Sequence, residues 1–345
     1  MPPGGVQGYG LWAGGDEPKA ITLKQVLYAL SVALVMAPGP GAADPPSLEY
    51  TPEHEEAPRK RPAPVRVTLK TRPRVAPGPR SWVRRPAPAP RRTQVLSPHR
   101  NVGWGGGEML TYAVSLSGVQ AGRAAISVGH PKQRKGRSVL ALRGLGETVP
   151  FIQTFADMRE EVNTRIDLSG VLPLSSTTNR RTGKPDEDRW MRTNFDRLVS
   201  QRIKKQGKRI DRKRRIPGPL HDPISALFAL RSLRLRTGDR LRMLVLNGNS
   251  LYEVKLKVVG RERIYTKLGP RDAIRIDGLG RRVFDDGVRP VPGKKVRSVS
   301  LWLGVGAARL PLKLRGDTKL GPIVATVTSH SPPRSGLRVR VATAR

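Results

Sequence analysis

Residues 221–233 read HDPISALFALRSL. Asp222 is a good N-cap, Pro223 suits the first helical position, and Ile224, Leu227, Phe228, Leu230 and Leu233 recur at the spacing that puts them on one helix face. This is the one convincing amphipathic helix after residue 100, and turn-punctuated runs of strand character lie on both sides of it. Such a face needs a partner, and the neighbouring strands are the available one. The expectation is a mainly β chain, a large curved antiparallel sheet or partly open barrel packed around one amphipathic helix over about 222–233. Apolar faces usually mark packing, so these residues are read first as core.

Outward from the helix, period-two alternation marks the strands. Leu110, Tyr112, Val114 and Leu116 alternate within 108–117, a turn follows at Gly118 to Gly122, and Ala124 to Val128 returns. Further strand candidates run at 138–145, 155–166, 174–180, 189–196 and 198–205, with a short turn or helix at Val149-Pro150-Phe151. Breaks fall at Gly170, Gly183-Lys184-Pro185 and Gly207. After the helix, 240–246 and 251–259 flank Asn247-Gly248-Asn249, the clearest tight hairpin signal in the chain. Segments 273–276, 296–303, 309–314 and 323–328 complete about a dozen strands.

The chain has 345 residues, no cysteine and a formal net charge of +37. The missing thiols exclude disulfides, thiolate metal sites, cysteine nucleophiles and a lipid-modified N-terminal cysteine. The basicity speaks to partners rather than fold: anionic lipid, acidic envelope polysaccharide or nucleic acid. A genomic coding bias toward arginine is an alternative source of the same charge.

Ahead of the strands, Lys19 and Lys24 precede an apolar run from Val26 to Met36, and Gly41-Ala42-Ala43 offers a cleavage point before Asp44. The run is short for a membrane span. Residues 1–43 are therefore expected to be a leader with a cleaved signal peptide, which implies a periplasmic or secreted product. Residues 44–106 read as a Pro/Arg-rich linker, because prolines from Pro58 to Pro90 alternate with arginines and few large apolar residues intervene. Trp82 and Trp104 stand there as isolated aromatics. A β-rich domain is expected over 107–330, and 331–345 is a basic tail.

Three islands carry a family resemblance. They are Gly107-Glu108-Met109-Leu110-Thr111-Tyr112 with Gly118 and Ala121-Gly122; Asp222-Pro223-Ile224-Ser225-Ala226-Leu227 with Leu230-Arg231; and Leu301-Trp302-Leu303 with Arg309-Leu310-Pro311-Leu312-Lys313-Leu314. Together they resemble the bacterial envelope family known as domain of unknown function 3108. The resemblance implies a secreted or periplasmic β-rich domain, similar in general shape to the half-barrel lipoprotein carriers of the envelope, and no known reaction. In this chain Gly304-Val305-Gly306 stands where a polar or acidic turn is the family pattern.

Enzymatic signatures are weak. The histidines His54, His99, His130, His221 and His330 form no pair at metal-ligand spacing, no serine sits in a nucleophile elbow, and no glycine-rich loop has phosphate-cradling spacing. Asp285-Asp286, Glu160-Glu161 and the Asp186 to Asp188 cluster are the candidate acid and base pairs for a carbohydrate-active enzyme, with Asp285 and Glu161 foremost. Adjacent carboxylates on a strand point to opposite faces, and all three sets lie among arginines, so a solvated or ion-paired role is favoured. No cofactor and no metal are expected.

The strongest positive signal is the run Arg202, Lys204, Lys205, Lys208, Arg209, Arg212, Lys213, Arg214 and Arg215. Charges this close raise the local potential, and arginines grip phosphate or carboxylate through paired hydrogen bonds, so the run is the candidate polyanion-binding site. A solvated hairpin and loop is the alternative. As a nucleic-acid motif it lacks interleaved aromatics and a recognition helix, which disfavours nucleic acid as partner. The expected partner is an anionic envelope component, lipid or polysaccharide, with a membrane surface as one form of it. A ligand cavity, if present, is expected between helix and sheet, with Tyr112, Phe228 and Trp302 as candidate lining or, more simply, as core.

Overall fold

The computed structural model describes residues 102–154, 157–183, 188–196, 198–318 and 320–334. The expected signal peptide, all but the end of the expected linker, residues 186 and 187 of the Asp186 cluster and most of the expected basic tail lie outside them. Sixteen strands form one sheet. In chain order they are β1 (Met109–Leu116), β2 (Val119–Val128), β3 (Lys132–Arg134), β4 (Arg137–Thr148), β5 (Arg159–Asp167), β6 (Leu172–Arg181), β7 (Arg189–Asn194), β8 (Val199–Lys205), β9 (Lys208–Arg214), β10 (Leu220–His221), β11 (Arg240–Asn247), β12 (Ser250–Thr266), β13 (Gly269–Val283), β14 (Arg297–Gly304), β15 (Pro311–Thr318) and β16 (Gly321–Ser331). Among the described residues two helices interrupt them, α1 (Pro150–Gln153) and α2 (Pro223–Arg231).

The spatial order is β10-β11-β12-β13-β14-β15-β16-β1-β2-β4-β5-β6-β7-β8-β9, with β3 paired to β4. All pairings are antiparallel except β10 with β11. The sheet is not closed, because β9 and β10 end the order without pairing to each other. Its two ends instead overlap. Val199 of β8 packs with Ile216 and Leu220 against Leu244, Leu246 and Leu251 of β11 and β12. Val245 and Tyr252, on the opposite face of the same two strands, belong to the main core. The sheet thus rolls past its own first strands, and side chains hold the seam. The Gln201 amide donates to the Gly248 carbonyl (2.9 Å), and Arg214 donates to the Asn249 carbonyl (3.1 Å) and to Asp285 (3.2 Å).

Within the roll lies α2. Its predicted face is buried, and so are the intervening Ser225, Ala226, Ala229 and Arg231, so the helix is enclosed on every side. Burial of each large apolar side chain contributes roughly 1.5–3 kcal/mol. Asp222 caps it as expected, accepting from the Ser225 amide (2.7 Å) while the Ser225 hydroxyl accepts from the Asp222 amide (3.0 Å). Thr164 of β5 donates to the other Asp222 oxygen, tying the helix start to the sheet.

The β11–β12 hairpin turns at Gly248-Asn249 with Asn247 opposite Ser250, as the sequence predicted. Gly248 has φ 59°, the left-handed region that favours glycine. Packed structure begins before Gly107, where the linker was expected to run on. Val102 and Trp104 are buried, and Trp104, read as an isolated linker aromatic, meets Phe228 edge-on with ring centroids 4.8 Å apart.

Candidate functional site

The nine cations of the predicted site lie on or beside the β8–β9 hairpin at the free end of the sheet, and strand geometry divides them between two faces. Residues directly opposite across a ladder share a face. Arg202 opposes Asp211 and Lys204 opposes Arg209, while Lys205 opposes Lys208, Gln201 opposes Arg212 and Val199 opposes Arg214. Gln201, Ile203 and Val199 are buried, so Lys205, Lys208, Arg212 and Arg214 belong to the inward face. Arg202, Lys204, Arg209 and Lys213 face outward. Arg215 follows the end of β9 and is exposed.

Outward, Asp211 pairs with two cations at once, 3.1 Å from Arg202 and 2.7 Å from Arg209. The Arg209 hydrogen bond is the main reason that the Asp211 carboxyl lies below its ordinary pKa. Lys204 sits 5.7 Å from the centre of the Trp190 ring. Inward, Arg214 is consumed by the seam. Spacing brought all nine cations together in the sequence, but the fold uses one of them as a structural bolt.

A pocket opens beneath the start of α2. Glu160 and Val162 of β5, Ser176, Thr178 and Arg180 of β6, and Arg189, Met191 and Thr193 of β7 form one wall. Asp222, Pro223 and Leu246 to Gly248 form the other. It encloses about 560 Å³ of empty space, counting the part open to solvent. Arg180 holds Glu160 through its Nε at 2.7 Å. Burial pushes the Asp222 carboxyl above the ordinary range, and its bonds from Thr164 and Ser225 offset this only in part.

Tyr112, Phe228 and Trp302 do not line this pocket. Tyr112 is buried and donates to the Pro311 carbonyl (3.0 Å), and burial raises its pKa. Phe228 is fully buried under Trp104 and Arg231. Trp302 is buried with Arg275 and Lys313 at 5.5 and 5.0 Å from its ring, and its indole N–H donates to Glu262.

The other end of α2 carries a buried ion pair that the sequence did not reveal. Arg231 donates to both Glu108 oxygens (2.7 and 3.0 Å) and to the carbonyls of Ala308 and Arg309, and His330 lies 3.2 Å from Glu108. Burial pushes the Glu108 carboxyl up, but Arg231 and His330 more than offset it, so its pKa lies below the ordinary value. The loop beginning Gly304-Val305-Gly306 therefore supplies carbonyls to Arg231. Its role here is to anchor the helix.

Of the carboxylates weighed for catalysis, Glu160, Glu161, Asp285 and Asp286 are paired with arginines, and Asp188 accepts from the Thr182 amide (2.8 Å). Glu160 points inward and Glu161 outward, as alternation requires, and Glu161 pairs with Arg143 at 3.0 Å. Asp285 pairs with Arg214, and Asp286 with Arg289. Hydrogen bonds from Arg289 and the Val288 and Arg289 amides draw the Asp286 carboxyl down to about 2. Among the described residues no group of three His, Cys, Asp or Glu side chains is placed to hold a metal ion, and no helix is long and apolar enough to cross a membrane.

Fold and site together define a class: an open, rolled antiparallel sheet wound on a buried helix, with a cationic hairpin at its free end. The chain belongs to the family described as "Protein of unknown function (DUF3108)", whose match spans residues 111–328. No curated protein matches the sequence. Among solved structures, the chain is similar to a β-barrel-like protein of domain of unknown function DUF1849 from Brucella abortus, at 9% identity and TM-score 0.43, covering 67% of this chain and 100% of that one. It is also similar to a protein with YmcC-like fold from Bacteroides fragilis, at 7% identity and TM-score 0.33, covering 67% and 99%. A third is the hypothetical lipoprotein YmcC from Escherichia coli, at 8% identity and TM-score 0.25, covering 67% and 89%.

Proposed function

We propose that this is an exported, non-catalytic protein of the cell envelope that binds anionic or amphiphilic envelope material, whether lipid, lipopolysaccharide-like or polysaccharide. The observation that carries the reading is the β8–β9 hairpin, where nine cations cluster within 202–215 against one acidic residue, Asp211. It is an ordered surface at the end of a sheet, so its charges hold fixed positions and act together on a polyanion. The signal-peptide reading of 1–43 supports export. The involvement of Asp285 and Glu161 in arginine pairs supports binding over acid–base chemistry.

Two measurements test it. The first is the intact mass of the protein recovered from the envelope fraction, expected to show a chain beginning near Asp44; an unprocessed cytosolic chain overturns the export part. The second is elution from an immobilised sulfated polysaccharide. The quadruple variant Lys204→Ala, Lys205→Ala, Lys208→Ala, Arg209→Ala should elute at clearly lower salt with its thermal melt unchanged. Equal elution defeats the binding part.

A further inference from the structure

Exposed apolar residues standing singly are ordinary for a folded chain, but four of them gather around Arg281. Leu279 of β13 shares the outward face with Val283, whose side chain the overlapping free end of the sheet covers. The cover stops there, and Leu279 stands in solvent. Val296 immediately precedes Arg297, the partner of Gly280, so it lies beside Arg281. Arg281 also donates to the Val288 carbonyl (3.4 Å), which brings Val288 to the same place. Phe284 follows Val283, with its ring 5.5 Å from the Arg289 guanidinium. All four are between 45% and 57% exposed. The loop that carries three of them is pinned. Arg242 donates to the Gly287 carbonyl (2.7 Å), the Phe284 amide to the Arg289 carbonyl (2.9 Å), and the Val291 amide to the Arg282 carbonyl (3.0 Å). An ordered loop that holds apolar side chains in water is the arrangement expected of a surface that a partner completes.

Charge around the patch selects that partner. Residues 284–297 carry four cations against Asp285 and Asp286, and those two carboxylates are already held by Arg214 and Arg289. Lys294 and Lys295 are exposed, and among the described residues neither side chain has an ion-pair partner. Lys255, opposite Leu279, borders the patch on its other side, 3.9 Å from Glu253. The Arg214–Asp285 pair joins the loop to the β8–β9 hairpin, so the cationic surface and the apolar patch adjoin. A second copy of the chain would set the same cations against these and be repelled. Apolar side chains flanked by lysines instead match the boundary of an anionic bilayer, where the former enter the acyl margin and the latter reach the headgroup phosphates. We infer that Leu279, Phe284, Val288 and Val296, flanked by Lys294 and Lys295, form a docking surface for an anionic lipid bilayer. This rests on the reading above, that the protein binds anionic or amphiphilic envelope material, and narrows that material to a membrane surface.

The test partitions the full chain between buffer and vesicles of phosphatidylcholine with or without phosphatidylglycerol. Binding should require phosphatidylglycerol and weaken with salt. Val288→Ser with Val296→Ser should lower the partition coefficient about tenfold, and Lys294→Gln with Lys295→Gln about tenfold or more. Leu198→Ser with Tyr265→Ser, exposed apolar positions away from the patch, should change it less than about threefold, with every melt unchanged. Phe284→Trp should report contact directly, through quenching of its added emission by brominated lipid. Equal losses from the patch and control pairs, or no quenching, overturn the docking surface. If Val288→Ser with Val296→Ser changes the sedimenting mass in lipid-free solution, the patch is a contact between copies and the membrane assignment falls. Retention on the immobilised sulfated polysaccharide without binding to either vesicle overturns this inference alone. Absence of both overturns the reading it rests on as well.

Discussion

Arg231 and Glu108 are both fully enclosed, and their side chains meet through two hydrogen bonds of 2.7 and 3.0 Å. The pair is worth little against a well-packed apolar replacement, yet breaking it is costly because one charge stays behind in a dry site. Arg231→Met should destabilise the fold by about 3–5 kcal/mol in chemical denaturation, and adding Glu108→Leu should recover much of that loss. If the double variant is no better than the single, the cost lies in the carbonyl bonds to Ala308 and Arg309 and not in the stranded carboxylate. His221 makes a second residue-scale case. Burial lowers its pKa from 6.5 to about 4, and its Nδ1 has no hydrogen-bond partner among the described residues. The unfolded chain therefore takes up a proton below pH 6.5 that the fold refuses until about pH 4. Its contribution to stability is complete above 6.5 and falls through that window, by roughly 3 kcal/mol at the acid end. His221→Gln should remove this component, so the loss of unfolding free energy between pH 7 and pH 4.5 should shrink; an identical loss in both proteins would assign the acid sensitivity elsewhere.

Elements differed sharply in how openly the sequence announced them, and the reason is locality. α2 was legible because its cap, its proline and its apolar spacing all lie within thirteen residues. The β11–β12 hairpin was legible because Asn247-Gly248 specifies a turn by backbone conformation alone. By contrast β9, KRIDRKR, has one apolar side chain, and a terminal strand that pairs on a single edge imposes no alternation strong enough to read. The outer half of the β12–β13 hairpin, beyond Val259, was missed for the same reason: charged residues such as Arg261 and Arg263 interrupt it. Trp104 was hidden because its partners are 124 and more residues away. The segment carrying it is docked tightly, with the Gly103 amide donating to the Ala307 carbonyl at 3.2 Å. A Cβ at Gly103 would stand 2.4 Å from the Ala307 carbonyl carbon, and backbone cannot yield as a side chain can. Gly103→Ala should therefore lift the segment, lower the melting temperature by several degrees and raise Trp104 exposure to a fluorescence quencher. A silent substitution would show that residues 102–104 contribute nothing to the core. The candidate site follows the same logic: clustering of cations was visible in one stretch, but their division between inward and outward faces exists only through register.

At the scale of the molecule, the consequence that matters is the open seam. Full closure would remove both edges of the sheet, but here β9 and β10 remain unpaired to each other, and the two ends overlap through seven apolar side chains plus the bonds of Gln201 and Arg214. The exposed edge of β9 is dense with lysine and arginine, which guards it against pairing with another chain. The seam and the cationic hairpin share strands β8 and β9, so the region proposed to bind is also the region least fixed by backbone ladders. Replacing Gln201 and Arg214 together by alanine should loosen that region selectively. Amides of β8 and β9 should exchange with solvent about tenfold or more faster, because two or three hydrogen bonds, one set from a charged group, are lost there. Amides of β16, β1 and β2, at the middle of the sheet order and paired on both sides, should keep their protection. Uniform acceleration across all strands would mean instead that the roll opens only by global unfolding, that the overlap is as cooperative as a closed barrel, and that the free end of the sheet is no softer than its centre.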